Sequence, residues 1–330
     1  MHIVIPDDYQ HVIRSLDCFS LLDGHQVSIY HDVQKSPNVL AQRFRDADAL
    51  VLTRERTSIG AQLLAQLPRL KLISQTGKAG VHIDLEACSL QGVAVLEGSG
   101  SPIAPAELTW ALILNARRQL IPAIQGLYAG HWQTNLGERL YGQTLGIWGY
   151  GRIGQRLARY AQAFDMPVLV WGSEASKDAA VRDGHRAASC KQAFFSEVDV
   201  LSLNLRLTES TRHVVNVDDL LQMKPSALLV NTSRAELLAP GALLEALSTG
   251  RPGYAALDVL DDEPILDEAH PLLNHPRVLC TPHLGYTERH SYELYFGDAF
   301  ANVQTFFRGD PCQLVKPATA QQRLPDPVTK

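Results

Sequence analysis

The stretch from Thr144 to Ala161, TLGIWGYGRIGQRLARYA, constrains the fold more than any other part of the chain. A short apolar run leads into Gly149-x-Gly151-x-x-Gly154, and a helical pattern follows with Ile153, Leu157, Ala161 and Phe164 on one face. In a strand–turn–helix unit of this kind the first glycine permits a tight turn, the second lets backbone approach a pyrophosphate, and the third lets the helix pack on the sheet. The helix N-terminus then faces an anion. A second strand pattern, PVLVW, follows at the distance such a unit requires. The spacing predicts a dinucleotide-binding domain, and its late start predicts a whole domain ahead of it.

Apolar runs and helical patterns alternate from the first residue. HIVIP, QVSIY, ALVLT, LKLISQ and VAVLE read as short buried strands, with helices expected near Tyr9 to Leu22, Val39 to Arg45, Ile59 to Leu67 and Asp84 to Leu90. A second series runs from TLGIWG through PVLVW, VDVLSLNL, ALLVNT, YAALDV and RVLCTP. This alternation predicts an α/β protein with two doubly wound parallel sheets covered on both faces. At 330 residues the chain exceeds the usual size of one core, which agrees. Between the two series, GSGSPIAPAELTWALILNARRQL opens as a Gly/Ser/Pro joint and continues as a helix apolar almost all round. Such a helix must be buried, between domains or against a second subunit. Tyr286 to Phe307 reads as another long helix that returns the chain to the first domain, and the last dozen residues read as a loose tail. The expected division is 1–101 plus 289–330 for a substrate domain and 102–288 for the dinucleotide-binding domain.

The composition excludes other classes. Net charge is −5 and no block of lysine or arginine occurs, so no basic stripe exists for nucleic acid or an anionic membrane. The five cysteines are scattered without a metal-ligand spacing and read as free thiols, with no metal expected. The start MHIVIPDDYQ lacks the basic and apolar regions of a signal peptide, and LTWALILNA is too short to span a bilayer, so a cytoplasmic location is expected.

Ligands in open parallel sheets sit outside the carboxyl ends of the strands. ALLVNTS runs to Arg234, YAALDV to Asp258 with Glu263 just beyond, and RVLCTP to His283. Histidine titrates near neutrality and serves as base for an alcohol or acid for a carbonyl. A neighbouring carboxylate holds the imidazole and favours its protonated form. Arginine binds a carboxylate through two N–H groups while polarising an adjacent carbonyl. These residue types at one sheet edge point to hydride chemistry on a small hydroxy acid, the hydride being carried by a dinucleotide.

In order and spacing, TLGIWGYGRIGQRLA, ALLVNTSRAELL, AALDVLDDEPI and LCTPHLGYT resemble the signatures of the D-isomer-specific 2-hydroxyacid dehydrogenases. The resemblance extends over nearly the whole chain, through SQTGKAGVHIDLEACSLQGVAVLEG, APAELTWALIL and GHW. It implies a flavodoxin-like substrate domain, a Rossmann dinucleotide-binding domain, and hydride transfer between nicotinamide and the C2 of a D-2-hydroxy acid or 2-keto acid. By the same resemblance His283 is the acid/base, Glu263 its partner and Arg234 the substrate-orienting residue. Gly149, Gly151, Arg152, Ile153, Gly154, Thr232, Ser233, Asp258 and Gly285 line the cofactor, with Asp258 facing the nicotinamide carboxamide. Backbone amides around Lys78, Ala79 and Gly80 hold the substrate carboxylate. Arg54 and Arg56 fall where phosphoglycerate dehydrogenases carry an arginine pair, which suits a phosphate or second carboxylate. Members usually form homodimers through the nucleotide domain, in line with the apolar helix after Pro105. The alternative that the resemblance leaves open is a dinucleotide-sensing scaffold of the corepressor kind.

One departure concerns the cofactor. The fingerprint places an acidic residue about 20 residues after the glycines, on the adenine ribose. Here PVLVW is followed by Gly172 and Ser173, with Glu174 one step beyond. Arg206 or Lys177 is a candidate partner for a 2′-phosphate, so NAD is the default and NADP the alternative.

Overall fold

In the computed structural model, which describes residues 1–315, the apolar runs become two separate all-parallel sheets. The described residues divide into one unit formed by Met1–Ser101 with the segment from Glu288 onward and another formed by Pro102–Thr287.

The first unit holds β1 (His2–Ile5), β2 (Gln26–Ile29), β3 (Ala49–Leu52), β4 (Leu72–Gln75) and β5 (Ala94–Glu97), in the order β2-β1-β3-β4-β5. Every residue of β3 and β4 is buried, as expected of strands covered on both faces. Helices α1 (Pro37–Phe44), α2 (Ala61–Leu64) and α3 (Leu85–Leu90) connect the strands, and Leu40, Phe44, Leu63, Leu64 and Ala87 carry their apolar faces into the core with Leu50 and Ile73. The stretch from Tyr9 to Leu22 does not form the expected α-helix. It folds as two 3₁₀ pieces, Ile13–Ser15 and Asp17–Leu22. The Asp8 carboxylate accepts the N–H groups of Val12 and Ile13, and Glu293 accepts those of Asp17 and Cys18. Side chains thus satisfy at two points the donors that a continuous helix would have used.

The second unit holds seven strands: β6 (Leu145–Trp148), β7 (Val168–Trp171), β8 (Arg186–Ala187), β9 (Val200–Leu203), β10 (Leu228–Asn231), β11 (Tyr254–Leu257) and β12 (Val278–Cys280). Their order is β12-β11-β10-β9-β6-β7-β8, which reverses direction between β6 and β9. Helices α4 (Ile103–Arg118), α5 (Leu120–Tyr128), α6 (Arg152–Ala163), α7 (Glu174–Arg182), α8 (Lys191–Glu197), α9 (Val217–Leu221) and α10 (Ala242–Ser248) surround it. The apolar helix of the sequence is therefore two helices with different fates. Helix α4 buries Trp110, Leu112 and Ile113 in its own unit, where the Trp110 ring meets Tyr160 and Phe164 of the α6 region edge-on. Helix α5 buries none of its residues and leaves Ile121, Ile124 and Leu127 on the surface.

The last helix, α11 (Arg289–Arg308), returns to the first unit and buries Tyr292, Tyr295, Phe296, Phe300 and Val303 there. The expected loose tail lies outside the described residues. Among the described residues no helix is long and apolar enough to cross a membrane.

Candidate active site

The glycine turn sits where the order of the second sheet reverses. Gly149 has φ 97° and donates its N–H to the Trp171 carbonyl at 2.9 Å. A Cβ at Gly149 would lie 2.6 Å from the Asn204 carbonyl oxygen at the end of the neighbouring β9, and one at Gly154 would run into the carbonyl of Gly149. A Cβ at Gly151 would meet nothing within 4 Å. Two glycines are thus required by packing, while the third caps α6 and leaves its N-terminus open. That is the cradle a dinucleotide pyrophosphate needs, so the residues present fit the group.

Three adjacent parallel strands, β10, β11 and β12, deliver the expected reactive residues just past their ends. After β10, the wholly buried Asn231 folds the chain back on itself. Its amide nitrogen donates to the Arg234 carbonyl at 2.8 Å, and its oxygen accepts the Ser233 N–H at 3.0 Å. Ser233 Oγ donates to Leu203 O, and Thr232 Oγ1 lies 2.7 Å from Thr109 Oγ1, so the loop that carries Arg234 is tied to β9 and α4.

Glu263 and His283 come together although 20 residues separate them in sequence. His283 Nδ1 lies 2.5 Å from Glu263 Oε2, and both side chains are about a quarter to a third exposed. The other Glu263 oxygen accepts the Leu260 N–H at 2.9 Å, which fixes the carboxylate, and Tyr286 meets the imidazole edge-on at 5.4 Å. With Nδ1 held this way, Nε2 is the ring nitrogen left to exchange a proton with a substrate oxygen.

His283 adopts the left-handed backbone conformation, φ 53°, uncommon outside glycine though histidine takes it more readily than most residues. Asp258 braces that conformation. Its wholly buried carboxylate accepts Thr281 Oγ1 at 2.6 Å, Leu284 N at 2.7 Å and Gly285 N at 2.8 Å, so the residues on both sides of His283 are clamped. Burial pushes the Asp258 carboxyl above the usual range, against the opposing pull of those donors. Through those three bonds Asp258 holds the histidine loop from the end of β11. A Cβ at Gly285 would come 3.1 Å from an Asp258 oxygen, a tight contact that the carboxylate could relieve only by shifting.

The residues expected to hold the substrate, Arg54, Lys78, Ala79 and Gly80, belong to the first unit. Arg54 also lies in the left-handed region, φ 52°, with its N–H donated to Thr76 Oγ1 and its carbonyl accepting Gln75 Nε2, both at 2.8 Å. Its guanidinium stacks 5.6 Å from the centre of the Tyr295 ring, over Gly77, where a Cβ would overlap it. Arg56 points elsewhere, onto the Tyr9 ring and the Asp7 carbonyl. Glu97, which sequence reasoning missed, takes the Lys78 ammonium at 2.6 Å and the Ala79 N–H at 3.0 Å. No local signal marks Glu97; it is found only because β5 lies beside β4, pairing Gln75 with Glu97.

At the ribose end, the backbone of Gly172 carries φ 155°, Ser173 caps α7 by accepting the Ser176 N–H, and Glu174 pairs with Lys177. Arg206 is exposed in the loop after β9.

An open glycine turn and an imidazole held for proton exchange at the same edge of one parallel sheet belong to a pyridine-nucleotide oxidoreductase, the class that this fold and site define. Residues 110–285 match the family model described as D-isomer specific 2-hydroxyacid dehydrogenase, NAD binding domain. The chain belongs to that family and is an NAD-dependent oxidoreductase of 2-hydroxy acids. It is 34% identical to a glyoxylate reductase of Aeropyrum pernix over 91% of this chain and 92% of the relative. It is 32% identical to a D-3-phosphoglycerate dehydrogenase of Methanocaldococcus jannaschii over 86% of this chain, which spans 55% of that longer protein. A crystal structure of a phosphoglycerate oxidoreductase from Vibrio cholerae superposes with a TM-score of 0.90 at 54% identity, over 93% of this chain and 98% of the other.

Proposed function

We propose that the chain reduces a short 2-keto acid carrying a second anionic group, or oxidises the matching D-2-hydroxy acid, with His283 as acid/base. The observation that carries this reading is the Glu263–His283 pair on a backbone clamped by Asp258. When bound, the nicotinamide supplies or accepts the hydride. In reduction, His283 Nε2 delivers a proton to the carbonyl oxygen as negative charge develops there, and Glu263 stabilises the charged imidazole. Arg234 polarises that carbonyl and holds the adjacent carboxylate. Gly149, Gly151, Arg152, Ile153 and Gly154 hold the pyrophosphate end, and Thr232, Ser233 and Gly285 line the nicotinamide end. The domain roles follow: 102–288 binds the dinucleotide, and 1–101 with 289–330 binds substrate.

Support for a second anion comes from Arg54, whose left-handed backbone is held by Thr76 and Gln75 and whose guanidinium stands on the Tyr295 ring. Glu97 takes the Lys78 ammonium and the Ala79 N–H, so a substrate carboxylate would compete with it there, and this reading assigns the second anion to Arg54 and the first to the backbone around Lys78, Ala79 and Gly80. The names of the phosphoglycerate-acting relatives agree. Following absorbance of the reduced nicotinamide with glyoxylate, hydroxypyruvate and 3-phosphohydroxypyruvate tests this directly. The phosphorylated substrate should have the highest kcat/KM. Arg54→Ala should lower that value about tenfold or more while changing glyoxylate by less than about threefold, as expected for loss of a charge-assisted contact. Equal losses on both substrates would remove the second-anion reading.

The enzyme is proposed to work as a cytoplasmic homodimer without nucleic-acid partners. Ile121, Ile124 and Leu127 of α5 and, close after them in sequence, Trp132, Leu136 and Tyr141 are all exposed, large apolar side chains of the kind that a second subunit covers. A second copy covering them forms a two-fold interface. Ile124→Asp combined with Leu127→Asp should halve the mass found by sedimentation while leaving the circular dichroism spectrum intact; a wild type that is already monomeric would refute the dimer.

A further inference from the structure

The feature not accounted for by hydride chemistry is the ion pair at the end of β7. In a dinucleotide fold this strand end meets the adenine ribose, and an unpaired carboxylate there accepts the 2′ and 3′ hydroxyls and repels a 2′-phosphate. In this chain the strand end is beside the glycine turn, as the Gly149 N–H to Trp171 carbonyl bond shows, and a Cβ on Gly172 would come 3.7 Å from the Gly149 nitrogen. Gly172 has no side chain to offer. The Ser173 hydroxyl is already engaged by the Ser176 N–H and lies 3.2 Å from Ser176 Oγ. The acid nearest the expected position is Glu174, and its Oε1 is 2.6 Å from Lys177 Nζ. Lys177 itself is held. Its ammonium stands 5.2 Å from the centre of the Trp171 ring, and its side chain is only 18% exposed against 82% for Glu174.

We propose that the Glu174–Lys177 pair sets cofactor choice, cancelling the charge that ordinarily rejects a 2′-phosphate and letting the chain bind NADPH and NADH with comparable affinity. The inference rests on the dinucleotide-binding reading of the second unit and adds to it the group recognised at the ribose. The sign follows from counting charges. An unpaired carboxylate presents −1 to a 2′-phosphate that carries about two negative charges, whereas the pair presents zero with its cation seated against the strand end. Removing either member exposes the other, so the two substitutions act in opposite directions. Glu174 is exposed, and Lys177→Met keeps an unbranched stem against the Trp171 ring, so both variants are expected to retain the fold, which circular dichroism checks.

The test is equilibrium binding of NADH and NADPH, read by nicotinamide fluorescence and by calorimetry, with no turnover needed. The wild-type dissociation constants should differ by less than about tenfold. Lys177→Met should weaken NADPH by about tenfold while NADH stays within about twofold, and Glu174→Gln should tighten NADPH by a similar factor. Both changes should shrink as salt rises from 0.05 M to 0.5 M, as screening of exposed charges requires (about 10 Å Debye length at 0.1 M). A wild type that prefers NADH by more than about a hundredfold would overturn the proposal, as would a ratio that neither variant moves. Movement of that ratio by Arg206→Ala alone would assign the choice to Arg206 and overturn it also. Failure of both dinucleotides to bind the wild type would instead bring down the dinucleotide reading itself, an outcome distinct from binding without the predicted charge dependence.

Discussion

His283→Ala is expected to lower kcat by about 10²–10⁴-fold while the dissociation constant for NADH stays within about twofold. The imidazole is the group whose Nδ1 is fixed by Glu263 and whose Nε2 remains for proton exchange. Without it the proton must come from water, which is neither positioned nor matched in acidity to the carbonyl oxygen. The glycine turn proposed to hold the pyrophosphate follows β6, far along the sheet from His283 after β12, so most of the dinucleotide's binding energy should survive the change. Stopped-flow turnover and nicotinamide fluorescence separate the two quantities. A variant that keeps more than a tenth of wild-type kcat would remove His283 from the mechanism, and one that also loses NADH would show a structural part instead.

The second large effect is expected at Asp258. Asp258→Ala leaves the Thr281 hydroxyl and the Leu284 and Gly285 N–H groups without their acceptor, the last of them buried and the other two partly so. Stranding buried donors costs about 1–3 kcal/mol each, so a loss of about 3–5 kcal/mol in unfolding free energy is expected. Turnover should fall with it, because the left-handed conformation of His283 depends on those bonds. Chemical denaturation measures the first, and kcat below the unfolding transition measures the second. The pH dependence has a definite sign. Burial raises the folded-state pKa of Asp258 above the ordinary 3.8, so the folded state keeps a proton that the unfolded chain has released. Its contribution is full below the unfolded-state value and is lost as pH rises through the folded one. The stability difference between wild type and Asp258→Asn should therefore decline from pH 3.8 upward. A difference that grows over that range would show that the three donors outweigh burial.

The periodicity of the chain determined a good deal by itself. Short apolar runs bounded by turn residues, such as ALVL and the LLV of LLVNTS, read as strands buried on both faces, and these became β3 and β10. The glycine spacing determined the turn after β6, since Gly149 and Gly154 are required by a carbonyl pressed against each, whatever ligand is present. Arg234, Glu263 and His283 were legible because their distance from a strand end is a local property, and parallel strands bring their ends to one edge.

Only the tertiary structure decided which groups answer one another across the sequence. Asn231 and Asp258 look like ordinary strand-end residues until the loops that they pin are seen to carry Arg234 and His283. Glu97 reaches Lys78 because β4 and β5 are neighbours. The helix expected over Tyr9 to Leu22 gave way to 3₁₀ turns because Glu293, 276 residues from Asp17, supplies an acceptor. Likewise α4 and α5, both apolar, separated into a buried helix and an exposed one according to which met the sheet. Local periodicity records which face of an element avoids water. It holds no record of the partner that satisfies a buried donor or covers an apolar face, because that partner comes within reach only after the chain has folded.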